Sequence, residues 1–210
     1  MYLLKKMEMS LQTHYTGGII GEDQALRAAV LIPLIKKENS YEVLFEVRSF
    51  HLKSQPGDIC FPGGKIDSED STPLDAAIRE TSEELGLDSS TIKLIGTLDR
   101  YVPSSQFIIY PFVGVLDNTD FKLNKEEVDH TFTIPLDWLL AHKPVKHIVQ
   151  MDPQPGEDFP YDRIAQGKKY NWRKRTMEEF FYHYKDHSVW GMTARILTHF
   201  LEILQSTSSI

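Results

Sequence analysis

Residues 63–87 read GGKIDSEDSTPLDAAIRETSEELGL and join a glycine pair, an acidic turn and a segment that carries both end signals of a helix. Thr72 is a residue type that caps helix N-termini, Pro73 suits the first helical position, and Asp75 can close a capping box. Gly86 supplies a left-handed stop. We therefore predict a helix between Thr72 and Gly86.

The acidic residues of this helix share one side. At about 100° per residue, Glu80, Glu83 and Glu84 fall within an arc of roughly 100°. A neighbouring arc carries the apolar residues that we expect to face the core: Leu74, Ile78 and Leu85. Three glutamates on a helix are most often a solvated face, but carboxylates drawn around one point repel unless a cation lies there. Oxygen ligands without Cys or His favour Mg²⁺ or Mn²⁺ over Zn²⁺.

The whole string resembles the Nudix box of the Nudix hydrolase family, G-x5-E-x7-R-E-U-x-E-E-x-G-U, in which U is a bulky apolar residue. The second half of the box matches at Arg79, Glu80, Glu83, Glu84, Gly86 and Leu87. Thr81 replaces the first U. The first half is one residue too long, so Ser71 occupies the usual glutamate position and Glu69 and Asp70 lie just upstream.

The stretch before the box, residues 44–64, reads LFEVRSFHLKSQPGDICFPGG and resembles the signature of the coenzyme A diphosphatase branch, L-L-T-x-R-[SA]-x3-R-x3-G-x-V-x-F-P-G-G. The register holds without a gap at Leu44, Arg48, Ser49, Gly57, Phe61, Pro62, Gly63 and Gly64. The departures are Phe45, Glu46, Lys53 and Ile59. Lys53 keeps a positive charge but lacks the bidentate fork of arginine. The extra residue in the box also occurs in this branch.

The resemblance implies an α/β (α+β) Nudix fold, a mixed β-sheet in an α/β/α sandwich, over a single domain of residues 1–210. It implies metal-dependent hydrolysis of a nucleoside diphosphate-linked substrate. The favoured substrate is coenzyme A or a derivative, which would yield 3′,5′-ADP and 4′-phosphopantetheine.

The same resemblance assigns roles to individual residues. Glu80 and Glu84 are expected to hold Mg²⁺ or Mn²⁺, with Glu83 as a further ligand or base, and Arg79 is expected to orient the carboxylates. The catalytic set is thus Arg79, Glu80 and Glu83. The expected substrate-binding residues are Arg48, Lys53, Gly63 and Gly64. Which glutamate takes the proton stays open, and Glu126 or Glu127 is a further candidate.

Two other functions compete with this interpretation. One is a Nudix hydrolase of another substrate, such as ADP-ribose, NADH, a dinucleoside polyphosphate or a capped RNA end. The other is a Nudix-fold binding module without turnover, which the retained Arg79-Glu80 and Glu83-Glu84 pairs disfavour.

Composition limits the partners. A net charge of −7 disfavours long nucleic acid as a ligand, while a small nucleotide needs only a few local cations. No apolar run is long enough to span a bilayer. The single cysteine, Cys60, excludes an internal disulfide framework and favours a reducing, cytoplasmic location. Residues 168–175, KKYNWRKR, can grip a nucleotide, form a homodimer contact or be a solvated loop.

Hydrophobic patterning predicts the remaining elements. Residues 1–26 form an N-terminal extension of unknown role, predicted as a short helix and a turn. Apolar runs predict a hairpin of residues 28–35 and 41–47 and strands at residues 92–99, 107–116 and 179–184. Ile59 to Phe61 are also predicted to lie on a strand, and a further strand is expected between the acidic turn at Glu126 and Pro135. Pro135 is predicted to start one helix, and residues 188–204 form another.

Overall fold

The computed structural model describes Lys5, residues 19–104 and residues 106–207. The strands are β1 (Leu26–Lys36), β2 (Tyr41–Arg48), β3 (Ile59–Cys60), β4 (Gly63–Lys65), β5 (Ile92–Thr97), β6 (Tyr101–Ser104), β7 (Phe107–Leu116), β8 (Val128–Pro135), β9 (Val145–Met151), β10 (Arg175–Tyr184) and β11 (His187–Trp190). The helices are α1 (Pro73–Leu85), α2 (Leu136–Ala141) and α3 (Gly191–Thr207). The predicted α/β class with a mixed sheet is confirmed.

The chain divides into two compact units. The first comprises the described residues up to Ile32 together with Pro62–Lys122, and the second comprises Pro33–Phe61 and the described residues from Leu123 onward. The strand β1 therefore contributes its first part to one unit and its last part to the other.

In the first unit, β1 pairs antiparallel with β4, so that Ala29 lies opposite Gly64 and Val30 opposite Gly63. The strand β7 is the next neighbour of β1 and pairs antiparallel with β5 and β6. The buried residues of this unit include Ala29, Leu31, Ala77, Leu85, Ile108 and Leu116. This arrangement holds the glycine pair in a strand beside the helix α1.

The helix α1 has the ends that the sequence predicts. Thr72 accepts a hydrogen bond from the backbone N–H of Asp75, and the Asp75 carboxylate accepts one from the N–H of Thr72. Gly86 ends the helix in the left-handed conformation, at φ 64°. The buried side differs from the predicted apolar stripe: Leu85 is buried, whereas Leu74 and Ile78 are only half-buried and the rest of the buried face is Ala76, Ala77, Thr81 and Glu84.

In the second unit, the end of β1 pairs with β2 as the predicted hairpin, with Leu34 opposite Val43. The strand β2 also pairs antiparallel with β3 and β8. On one face Phe45 stacks between Phe61 and Phe132, with ring centroids 5.1 and 5.4 Å away. Val43 to Val47 are all buried, so β2 lies in the interior and not on a half-solvated surface.

The second unit also contains a three-stranded sheet of β9, β10 and β11, in which β10 is central. Phe180, Tyr182 and Val189 are buried on the face that α3 covers. The Tyr182 hydroxyl lies 3.0 Å from Thr198 Oγ1, and the Arg195 guanidinium lies 4.0 Å from the centre of the Phe180 ring. These contacts fix α3 to the sheet.

Several predicted boundaries move. The last helix begins at Gly191, not at Ser188, because Ser188 to Trp190 pair with β10. The predicted helix within residues 1–26 lies outside the described residues, apart from Lys5 and residues 19–26. In the part of the chain that the structure describes, no helix is long and apolar enough to cross a membrane.

Candidate active site

Each glycine of the pair at the start of the box is required for a different structural reason. Gly63 has φ +146°, and a Cβ there would lie 2.3 Å from the carbonyl oxygen of Ala29. A Cβ on Gly64 would lie 2.4 Å from the carboxyl carbon of Glu80. Gly63 is therefore required by the backbone of β1, and Gly64 by a side chain of α1.

Two carboxylates of α1 reach this dipeptide. The Glu84 Oε2 atom accepts a 2.9 Å hydrogen bond from the backbone N–H of Gly63, and Glu80 lies against Gly64. Glu84 is only 4% exposed. Burying a carboxylate is costly unless it is hydrogen-bonded or paired, so the Gly63 N–H supplies part of the compensation. The predicted metal ligands Glu80 and Glu84 therefore meet at one place.

Arg79 ties the acidic groups together. Its Nε and Nη2 atoms donate to the two carboxylate oxygens of Asp70 at 3.0 and 2.9 Å, and its Nη1 atom donates to Glu80 at 2.9 Å. A longer contact of 3.5 Å joins Nη1 to Glu83. Hydrogen bonding to Asp70 is the main cause that raises the pKa of Arg79 above its usual range. The orienting role that we predicted for Arg79 is consistent with these bonds.

Asp70 belongs to the site, although its sequence position predicted no role for it. Its side chain is 5% exposed and forms the bidentate pair with Arg79. Its Oδ2 atom also accepts a hydrogen bond from the backbone N–H of Asp67. Arg79 and this N–H together lower the pKa of the Asp70 carboxyl below its usual value of 3.8. Asp70 thus anchors the stretched loop, and the signal for it was an acid one residue before the box position that Ser71 fills.

Glu83 is more exposed than the other two glutamates of α1. Its side chain is 56% exposed, and its Oε2 atom lies 3.5 Å from Arg79 Nη1. Among the described residues, no group of three or more His, Cys, Asp or Glu is already arranged to hold a metal ion. The acidic donors that do converge are Glu80 and Glu84, and their hard oxygen atoms beside a backbone free of side chains suit Mg²⁺ or Mn²⁺.

The predicted substrate-binding cations lie in the second unit. Arg48 ends β2, where its backbone N–H donates to Asp58 and its carbonyl accepts from Gly57. Its Nε atom is buried and has no hydrogen-bond partner, and none of the ion pairs between described residues includes Arg48. A guanidinium in this state is suited to an anionic ligand from outside the chain.

The loop after β2, residues 49–58, is closed by these backbone bonds. Gly57 has φ +75°, and a Cβ there would lie 2.6 Å from the Phe50 ring, which explains the signature glycine at this position. Lys53 is exposed in the same loop, and no ion pair of the described residues includes it. The exposed Glu126 and Glu127 lie before β8, where the carbonyl of Glu127 accepts from the Ser49 N–H.

Comparison with known proteins agrees with these features. The NUDIX domain model matches residues 25–153. The peroxisomal coenzyme A diphosphatase NUDT7 of Mus musculus is 39% identical over 132 residues, which are 62% of this chain and only 55% of that protein. The Nudix hydrolase NudL of Salmonella newport, itself described as uncharacterised, is 31% identical over 172 residues, 81% of this chain and 79% of that protein.

A solved structure extends the likeness to nearly the whole chain. The MutT/nudix family protein of Enterococcus faecalis is 11% identical and has a TM-score of 0.50, covering 97% of this chain and 70% of that one. At this identity the match shows the fold alone.

The helix α1 packs beside the glycine strand β4, and the NUDIX domain model matches this part of the chain. Together these features define a class of nucleotide hydrolases. The chain belongs to the Nudix family. It is a Nudix hydrolase, and enzymes of this family act on small nucleotide-linked substrates and generally use divalent metals such as Mg²⁺ or Mn²⁺.

Proposed function

We propose that this Nudix hydrolase cleaves the diphosphate of coenzyme A or a coenzyme A derivative and releases 3′,5′-ADP and 4′-phosphopantetheine. The observation that carries the proposal is Arg48 within the upstream signature, whose buried Nε atom has no hydrogen-bond partner among the described residues. The mouse relative that is named a coenzyme A diphosphatase supports the same substrate. Because the match spans 55% of that relative, its activity is transferred here only as a proposal.

A divalent cation fits the carboxylates of α1. Glu80 and Glu84 would hold Mg²⁺ or Mn²⁺, because both carboxylates lie against the Gly63-Gly64 dipeptide, which has no side chain to exclude a ligand. When bound, such an ion neutralises phosphate charge and lowers the pKa of a coordinated water. The existing bond from the Gly63 N–H positions Glu84 before any ligand arrives.

The protein's own groups divide the remaining work. Arg79 holds Glu80 in place, and Asp70 holds Arg79, so the Glu80 carboxylate is preorganised. Arg48 donates to oxygens of the diphosphate, and Lys53 adds positive charge. Glu83 is the proposed base, because its carboxylate is the most exposed of the three glutamates. In this proposal Glu83 takes a proton from the attacking water, the water oxygen bonds to phosphorus, and the bridging P–O bond breaks.

The direct test is product analysis by chromatography. Purified protein with Mg²⁺ or Mn²⁺ is given coenzyme A, ADP-ribose, NADH and a dinucleoside polyphosphate in parallel reactions. Preferential release of 3′,5′-ADP from coenzyme A supports the proposal. Preference for another of these substrates retains the hydrolase and removes the coenzyme A assignment.

Arg48→Ala sharpens this test. If Arg48 contacts the diphosphate, the KM for coenzyme A rises, whereas Lys37→Ala, which removes a lysine paired with Glu42 at 3.3 Å, leaves the KM unchanged. Equal effects of the two substitutions would contradict a specific role for Arg48.

We also propose a cytoplasmic location. The single cysteine of the sequence, Cys60, supports a reducing compartment. The mouse relative is named as peroxisomal, so imaging of the full chain fused to a fluorescent protein distinguishes the two compartments.

A further inference from the structure

The strand β9 forms a free edge of the three-stranded sheet. It pairs with β10 from Val145 to Met151 without an irregularity in register. No other described strand pairs with β9, and all of its residues are exposed. The large apolar residues among them are Val145, Ile148, Val149 and Met151. A regular, exposed, apolar edge is a ready template for another strand.

The strand β5, at one edge of the larger sheet, is protected. Its pairing with β7 is broken by a bulge between Leu94 and Gly96, and bulges and glycines discourage further pairing. The strand β9 contains neither glycine nor proline. Its one charged residue, Lys146, forms an ion pair with Glu178 of β10 at 3.1 Å. The Lys146 side chain is therefore directed to its own sheet and does not prevent another strand from pairing with β9.

The apolar surface of β9 continues onto its neighbours. Residues directly opposite in an antiparallel ladder share a face, so Val145, Phe181 and Trp190 form one row and Val149 lies beside Met177. The Phe181 and Trp190 rings stack with centroids 5.7 Å apart. This outward face lies opposite the one that α3 covers, and contiguous exposed apolar surface of this kind marks interaction sites.

We propose that β9 pairs antiparallel with β9 of a second copy of this chain, about a two-fold axis at Ile148. This single register engages every residue of the strand and opposes Val145 to Met151, Lys146 to Gln150, His147 to Val149, and Ile148 to its own copy. It places no like charges opposite each other, whereas an axis at Lys146 would oppose two lysines. Strand pairing of this kind is a common recognition mode.

The two-fold arrangement also determines the assembly. The same strand is used by both copies, so the interface is isologous and closes after two chains. When the pair forms, each copy covers its β9 edge, and two three-stranded sheets become one sheet of six strands with the short strand β11 at each end. The predicted assembly is therefore a homodimer and not a fibre.

Analytical ultracentrifugation of the full chain tests the proposal. The wild type is expected to sediment as a dimer, and Ile148→Lys, which opposes two charges at the axis, is expected to sediment as a monomer. Ile95→Lys on β5 is the matched control, because Ile95 and Ile148 lie on edge strands of the two sheets and are exposed by 58% and 60%. A monomeric wild type, or a dimer that survives Ile148→Lys, overturns the proposal.

Cross-linking gives a second measurement that does not depend on disrupting the strand. In a Cys60→Ser background, Ile148→Cys places a thiol of each copy at the two-fold axis. A short bismaleimide is expected to convert most of this variant to a covalent dimer on a denaturing gel and to leave the Ile95→Cys counterpart monomeric. Equal yields from both variants would show that β9 is not the contact.

Discussion

Arg79 and Arg48 occupy opposite electrostatic situations. Arg79 lies in the box, where its donors go to Asp70 and Glu80, with a weaker contact to Glu83. Arg48 lies at the end of β2, where its buried Nε atom has no hydrogen-bond partner and no ion pair of the described residues includes it. The donors of Arg79 are bonded to carboxylates of the box, whereas the Nε donor of Arg48 has no acceptor among the described residues.

The two arginines are therefore expected to have different functions, although both are matched by sequence motifs of the same family. An arginine whose carboxylate partners are built in acts by positioning those carboxylates. An arginine whose buried nitrogen lacks an acceptor carries a desolvation cost that a bound anion can repay. The expected consequence is that substitutions in the box lower kcat and substitutions at Arg48 raise KM.

The largest effect is expected for Glu84→Gln. The amide oxygen of glutamine can still accept from the Gly63 N–H, so the fold persists while the negative charge that would hold a cation is lost. We expect kcat to fall by about 10³-fold, with coenzyme A binding retained in calorimetry. Glu69→Gln, at an exposed acid of the same box, serves as the control. A variant with near-normal kcat would remove Glu84 from the site.

The glycine pair provides the next effect. Gly64→Ala places a Cβ against the Glu80 carboxylate, a flexible side-chain end that can move, so we expect activity to fall by roughly 10²-fold while the fold is retained. Gly63→Ala instead meets the backbone of Ala29 and is expected to lower the free energy of unfolding by about 1–3 kcal/mol. Kinetics and urea unfolding separate the two, and the reverse pattern would contradict the division of roles.

Comparison of the two arginines themselves is the third test. Arg48→Ala is expected to raise the KM for the substrate about 10–100-fold, from the loss of charged hydrogen bonds, with little change in stability. Arg79→Ala is expected to lower kcat, because Glu80 and Glu83 lose their common partner. If both variants alter the same kinetic parameter, the distinction drawn from their ion pairs is wrong.

The sequence predicts the first unit well because its signals are local. The caps of α1, the glycine pair and the strand β7 appear where they were expected. The buried stripe of α1 was predicted less well, since Glu84 is buried and Ile78 is only half-buried. Helical periodicity predicts that a carboxylate is exposed, and the tertiary hydrogen bond from the Gly63 N–H is part of the reason that a buried one is tolerated.

Prediction was weaker where pairing between distant residues decides the structure. The strand β9 was not predicted, because its residues are all exposed and show no apolar alternation. Ser188 to Trp190 were assigned to a helix, but their hydrogen bonds to β10 place them in β11. Glu46, where the branch signature has threonine, is buried and accepts from the Cys60 thiol. The roles assigned to the candidate site residues stay predictions: Arg48, Lys53, Gly63, Gly64, Arg79, Glu80, Glu83 and Glu84.

The smallest expected effect concerns Asp70 and acid. Because the folded-state pKa of Asp70 is lowered from 3.8, its ion pair with Arg79 contributes stability that is present above about that pH and is lost as the pH falls through the folded-state value. Asp70→Asn should therefore lower the free energy of unfolding at neutral pH and flatten its decline in the acid range. Urea titrations of wild type, Asp70→Asn and Glu69→Gln from neutral pH to below 3.8 measure this. An unchanged acid slope in Asp70→Asn would mean that the Arg79 pair does not stabilise the box, and the positioning role of Arg79 would then have to rest on Glu80 alone.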